Sequence, residues 1–291
     1  MSDDLLRPGW RATKRAVNGV TLHVVEAGRE GDPVVILLHG FPEFWWAWRH
    51  QIGPLADAGF HVVAPDMRGY NESDAPPAVA DYRLDTLAAD VVALADAVGA
   101  TRFHLVGHDW GAVVGWRVAV AHADRLERVV LMDGPHPDVL LRQALTHPTQ
   151  ALRSTYVAFF QLPWLPEATL GAFGFAGLKA AMRGSARADA FEPGALDRYA
   201  RAWARPGALT AMLNYYRALR LRPSAGAPAR ITPPTLVLWG ERDQALELRV
   251  ADASVALCDR GRLTVVPGAT HWLHLEESAR VTAEIIGFLA A

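Results

Sequence analysis

The chain has 291 residues, 51% hydrophobic and 21% charged, with 29 basic and 31 acidic residues and a formal net charge of −2. That apolar content excludes a disordered chain, and the balanced charge argues against a wide nucleic-acid surface. A single cysteine, Cys258, excludes an internal disulfide.

The segment Met1 to Trp10 carries acidic residues where a secretion signal needs a basic start and an apolar stretch. No apolar run approaches the roughly 18 residues of a membrane-spanning helix. These features point to a cytoplasmic protein with no membrane partner. Val20 to Val25 reads as a strand and Pro33 to Leu38 as a fully buried one. Trp45 to Ala58 reads as helical, its tryptophans mostly core packing. His61 to Ala64 is a strand, followed by the turn-rich Pro65 to Pro77. Leu84 to Val98 is an amphipathic helix, Phe103 to Val106 a strand, Trp110 to Ala121 a helix and Arg128 to Met132 a strand. Apolar strands separated by helices imply a parallel sheet covered on both faces.

From Pro135 to Ala229 no buried strand is legible, and breakers fall at Pro163, Pro166, Gly184, Pro193, Pro206 and Pro223. The spacing is helical, so this segment reads as an insertion. Strands return at Thr235 to Trp239 and Leu263 to Val266, and an amphipathic helix closes the chain from about Glu276 to Leu289. Cys258 falls late in a helix-like stretch and reads as a buried, inert thiol. The expected organisation is a core of residues 1–134 and 230–291, interrupted by a helical cap at 135–229.

The strongest motif is Leu105-Val106-Gly107-His108-Asp109-Trp110-Gly111, a strand meeting a helix through a tight turn with glycine two before and two after the central residue. This is the nucleophile-elbow arrangement, with Asp109 in the place serine often holds. A carboxylate can displace a leaving group from saturated carbon and become an alkyl ester, which water then hydrolyses at its carbonyl. Serine would form an ether with no carbonyl to attack, so an aspartate elbow suits epoxides and alkyl halides. His39-Gly40-Phe41-Pro42 follows a strand, and the N–H groups of Phe41 and Trp110 are candidates for an oxyanion hole. His39 reads as a turn-stabilising residue.

Asp243 follows one late strand and His271 the next. The order Asp109, Asp243, His271 matches nucleophile, acid and base for such a sheet, and the long first interval is what an insertion would produce. Asp133 and Glu241 compete with Asp243 for the acid. His274 reads as a surface or packing residue, His108 as packing beside the elbow, and His136 as a candidate for the pocket lining. The histidines lack tight metal-ligand spacing and no phosphate-binding loop appears, so neither metal nor organic cofactor is expected.

HGFPEFWWAWR, DMRGYNESDAP, GHDWG, FFQLPWLPE, LNYYRA and GATHW together make the chain resemble the epoxide hydrolase branch of the α/β-hydrolase superfamily, from about Val20 to Leu289. Asn71 stands where many relatives carry glycine, and asparagine tolerates the left-handed backbone that turn needs. The resemblance implies a mostly parallel eight-stranded sheet with a helical cap after the sixth strand. It also implies two cap tyrosines that hydrogen-bond the epoxide oxygen, matched by Tyr156 and Tyr216, with Tyr215 turned to another side. The expected substrate is a small apolar epoxide, with water as co-substrate, in a pocket lined by Phe41, Trp110, Phe159 and Trp164. The expected assembly is a monomer or homodimer. Two other readings remain open: a haloalkane or haloacid dehalogenase using the same Asp-His-Asp set, and a ligand-binding homologue.

Overall fold

The computed structural model describes residues 2–221 and 229–291. Eight strands form one sheet: β1 (Arg11–Val17), β2 (Val20–Ala27), β3 (Val34–Leu38), β4 (His61–Pro65), β5 (Phe103–His108), β6 (Leu126–Met132), β7 (Thr235–Gly240) and β8 (Gly261–Val266). Their order is β1-β2-β4-β3-β5-β6-β7-β8. β2 runs antiparallel to both β1 and β4, and every other pairing is parallel. β3, β4 and β7 are buried along their whole length, as strands covered on both faces must be.

β1 carries no legible strand pattern in the sequence. Its residues, RATKRAV, interleave three basic side chains with small ones, and the strand is only partly buried. Charges are what a sheet edge carries to discourage pairing with other chains, and they erase the hydrophobic signal. Arg11 and Arg15 of β1 reach across to Glu26, which is buried on β2 and also bonded to Thr13 and His61.

Helices α1 (Ile52–Asp57), α2 (Leu84–Ala97) and α3 (Trp110–Ala121) belong to the first part of the chain. α4 (Pro137–Thr146), α5 (Pro148–Arg153), α6 (Thr155–Phe160), α7 (Leu165–Ser185), α8 (Ala195–Trp203) and α9 (Ala208–Ala218) are inserted between β6 and β7. α10 (Leu248–Val255), α11 (Leu273–Glu276) and α12 (Ser278–Leu289) complete the set. The expected helix over Trp45 to Ala58 is instead a 3₁₀ turn at Trp45–Trp48 followed by α1. Pro54 has no N–H to continue a helical ladder and sits in the first turn of α1. Trp45, Trp46 and Trp48 are all buried. The last helix is broken at Glu277, whose φ of −120° and ψ of 42° separate α11 from α12. α7 is two helical pieces joined by a kink at Ala172–Phe175. Cys258 lies beyond α10 in a bridge to Ile231, and burial pushes its thiol up to about 11. The expected breaker Pro223 lies outside the described residues. No described helix is long and apolar enough to cross a membrane.

The strand order reverses at β3, between β4 and β5. In open α/β sheets the crevice beyond the C-terminal strand ends at such a reversal is where ligands bind. The turns after β3, β5, β6, β7 and β8 all meet there.

Candidate active site

β5 enters α3 through Asp109, at φ 50° and ψ −116°. A positive φ is uncommon away from glycine and marks a strained elbow. Two glycines make the elbow possible. A Cβ on Gly111 would lie 2.1 Å from the Leu38 carbonyl oxygen, and one on Gly40 would lie 2.5 Å from Asp109 Cβ. Only a residue without a side chain lets the β3 end close on the elbow this far.

Asp109 Oδ1 accepts a 2.7 Å hydrogen bond from the Phe41 backbone N–H. Its Oδ2 stands 3.6 Å from His271 Nε2. His271 Nδ1 is 2.8 Å from Asp243 Oδ2. Asp243 Oδ1 accepts from the N–H groups of Ala245 and Leu246 at 2.7 and 2.9 Å, and Arg153 donates to the Asp243 carbonyl oxygen at 3.0 Å. An ionised carboxylate can only accept, so the His271 proton sits on Nδ1 and Nε2 is left facing Asp109. Burial alone would lower the His271 pKa. The Asp243 and Asp109 carboxylates outweigh it and raise the pKa well above the ordinary histidine value.

The competing acids make other hydrogen bonds. Glu241 accepts from the Gly268 N–H at an exposed position. Asp133 is fully buried and accepts from the Gly240 N–H at 2.9 Å. His39 bridges its own turn, from the Gly40 carbonyl to the Met67 N–H. Asn71 adopts φ 42°, the left-handed turn expected of it. His104 is held in β5 against Phe60, and burial lowers its pKa to about 4.

Above Asp109 a cleft of about 860 Å³ opens between the strand ends and the inserted helices, with Trp110, Val113, Leu140, Tyr156, Tyr216 and Leu246 among its walls. The Tyr156 and Tyr216 rings are 5.9 Å apart at 80°. Burial, with the charge of Asp109 acting in the same direction, raises both phenol pKa values, and a hydrogen bond from the Trp110 side chain opposes the rise at Tyr216. Both phenols therefore stay protonated and able to donate. Tyr215 turns away from the cleft and donates to the Arg68 carbonyl at 2.7 Å.

Four expected pocket residues, His136, Phe159, Trp164 and the ring of Phe41, stand outside the cleft wall. His136 caps α4, accepting from the Asp138 N–H, and rests its ring on Trp116. Phe159 packs on Phe160 and is absent from the cleft wall, although it lies only three residues beyond Tyr156 on α6. Trp164 is 73% exposed at the start of α7. From the segment around α6 the cleft takes Ser154, Thr155, Tyr156, Val157, Ala158 and Gln161, a mixed set that aromatic content does not pick out. Phe41 contributes its N–H to Asp109, while its ring packs against Tyr216 and Phe160.

One buried network was not anticipated. His108 Nε2 lies 2.8 Å from the His271 carbonyl oxygen, and its Nδ1 lies 3.1 Å from Glu43 Oε2. Glu43 Oε1 accepts from Tyr199 at 3.1 Å and lies 3.3 Å from His274 Nε2. Burial would raise the Glu43 pKa, but His274 and His108 together hold it well below the usual carboxylate range. The signal was present in the sequence: Glu43 is the one charge in an otherwise apolar Gly40–Trp48 stretch, and such a residue, once buried, needs partners. Glu43, His108 and His274, and separately His108, Asp133 and His271, bring ligand-capable atoms within 4.8 Å of one another. To hold an ion, His108 and His271 would have to surrender the bonds just described.

Residues 33–278 match the family described as alpha/beta hydrolase fold. The chain is 43% identical over 272 residues to the AB hydrolase superfamily protein YfhM of Bacillus subtilis, covering 94% of this chain and 95% of that one. It is 40% identical over 317 residues to Epoxide hydrolase A of Mycobacterium tuberculosis, covering 95% and 97%. Among solved structures, one described among novel epoxide hydrolases from metagenomes of hot environments superposes with a TM-score of 0.86 at 36% identity, covering 96% and 98%. An eight-stranded sheet with an aspartate elbow, matched at this identity and coverage, places the chain in the epoxide hydrolase branch of the α/β-hydrolase fold family.

Proposed function

We propose that the protein hydrolyses an apolar epoxide to a vicinal diol through an alkyl ester on Asp109. The observation that carries the reading is the facing pair of Asp109 Oδ2 and His271 Nε2, 3.6 Å apart at the floor of an apolar cleft. Asp109 attacks a ring carbon from behind, and the C–O bond to the epoxide oxygen breaks. Tyr156 and Tyr216 hydrogen-bond that oxygen and supply its proton, which is favourable because an alkoxide is a far stronger base than a phenolate. His271 Nε2 then takes a proton from water, whose oxygen attacks the ester carbonyl of Asp109. The Phe41 and Trp110 N–H groups stabilise the tetrahedral oxyanion. On its collapse the ester C–O bond breaks, and the hydroxyl proton of the intermediate passes to the departing oxygen to complete the diol. Asp109 is again a carboxylate, and the proton held by His271 returns through solvent to the cap phenolate. Asp243 holds the His271 tautomer and stabilises the imidazolium.

The charge change helps the second step. While Asp109 is a carboxylate it favours protonated His271. Once Asp109 is esterified that charge is gone, the His271 pKa falls, and the imidazole becomes available as a base. In this reading residues 135–229 act as a cap over a core of 1–134 and 230–291.

The test is a product assay with styrene oxide and 1-bromobutane side by side. Diol without bromide is the expected result. Bromide without diol would transfer the reading to a dehalogenase, with the Trp110 indole binding halide.

A further inference from the structure

Asp133 is a buried carboxyl for which the proposed chemistry has no use. It lies directly after β6 and adopts φ 40°, an uncommon conformation for a residue with a side chain. Strain of this kind persists only where the surroundings hold it in place. The Asp133 N–H donates to Leu238 at 3.2 Å, and Oδ1 accepts from Gly240 at 2.9 Å. A Cβ on the next residue, Gly134, would lie 2.4 Å from the Asp109 carbonyl oxygen, so the turn is pressed against the elbow. Oδ2 has no hydrogen-bond partner among the described residues, which is costly for a buried oxygen. A carboxylate oxygen of Asp133, a ring nitrogen of His271 and a ring nitrogen of His108 all lie within 4.8 Å of one another.

Building on the epoxide hydrolase reading, we propose that Asp133 is a reserve acid for His271: a positioning residue able to support the imidazolium in place of Asp243. Two strand ends, β6 and β7, thus present carboxyls to one base. The groups facing Asp133 are Asp243, His271, Glu276, His108 and the Gly240 N–H. Burial and the Asp243 charge push its pKa well above the usual carboxylate range, against the pull of His271 and Gly240. With Asp243 charged, Asp133 keeps its proton and the base has one negative partner. With Asp243 neutralised, the repulsion ends. Burial still opposes ionisation, but the pull of His271 and the Gly240 N–H then acts without that repulsion, and Asp133 supplies the negative partner when the imidazolium forms.

The experiment is a double-mutant cycle on the full chain, using Asp133→Asn, Asp243→Asn and the double variant. It reads kcat and KM for styrene oxide and the pH dependence of ester hydrolysis in a single turnover. Asparagine keeps an acceptor for Gly240 at position 133 and for Ala245 and Leu246 at position 243. The expected result is that Asp133→Asn changes wild-type kcat by less than threefold. In the Asp243→Asn background it lowers kcat at least tenfold further, with KM nearly unchanged. The acid limb of Asp243→Asn should also lie at higher pH than in wild type, because Asp133 must ionise first. An equal cost of Asp133→Asn in both backgrounds would reduce the residue to a structural role and overturn the proposal. So would an Asp243→Asn protein with no detectable hydrolysis. If Asp243→Asn does not fold, Asp243→Ser is read in the same cycle. A wild type that makes no diol would defeat the underlying reading instead, so the two failures are separable.

Discussion

His108, the residue preceding Asp109, points Nε2 at the backbone carbonyl of His271 from 2.8 Å. The elbow thus holds the backbone of the proposed base as well as presenting the proposed nucleophile. A carbonyl only accepts, so Nε2 carries a proton. Glu43, held well below the usual carboxylate range, is the charged partner facing Nδ1. Glu43→Gln removes that charge at a fully buried site, which costs about 1–3 kcal/mol of stability. We expect a lower Tm and a kcat reduced about tenfold, equivalent to ~1.4 kcal/mol of barrier, with KM within twofold. Steady-state kinetics and thermal melts check this, and an unchanged kcat would show that the His271 carbonyl needs no such anchor.

In the proposed mechanism the two cleft phenols share one task, so their effects should not add. Either Tyr156→Phe or Tyr216→Phe leaves one donor on the leaving oxygen. The double variant leaves none and should open the ring about 10²-fold more slowly than wild type or worse, the usual scale for losing a transition-state donor. The rate of ester formation under single-turnover conditions is the quantity to measure. A double variant as fast as either single one would remove the phenols from ring opening.

The raised His271 pKa sets the sign of the pH dependence. The proposed hydrolysis needs neutral His271, so kcat should fall as pH drops through the pKa of the esterified enzyme. That pKa lies below the free-enzyme value, because esterification removes the Asp109 charge. The acid limb of kcat should therefore lie at lower pH than the His271 titration followed by NMR in the free enzyme, where ester hydrolysis limits turnover. For folding, a raised native pKa contributes stability that is complete below the unfolded value of about 6.5. It is lost as pH rises through the native value. An acid limb at or above the free-enzyme titration would contradict the charge argument.

Most strands were legible because buried parallel strands leave long apolar runs, as in Val34–Leu38, where all five residues are buried. β1 was not, since its edge position is encoded by charge. Asp109, Asp243 and His271 could be chosen from their positions after strands, because the sheet brings strand ends together whatever the loops do. The pocket wall was harder. Tyr156 and Tyr216 came from motif resemblance, whereas Phe159 and Trp164 were chosen for being aromatic and point elsewhere. Helix phase in the inserted segment depends on packing that no local pattern states. Glu43 was visible as an isolated charge, but its partners His108, Tyr199 and His274 are distant in sequence.

The most direct test of the account is intact-mass analysis of His271→Ala after incubation with styrene oxide. Attack by Asp109 needs no base, while ester hydrolysis does, so the account predicts a protein heavier by one substrate and stable over many wild-type turnovers. Peptide mapping should place the added mass on Asp109. An unmodified His271→Ala protein, beside a wild type that makes diol, would contradict the covalent route.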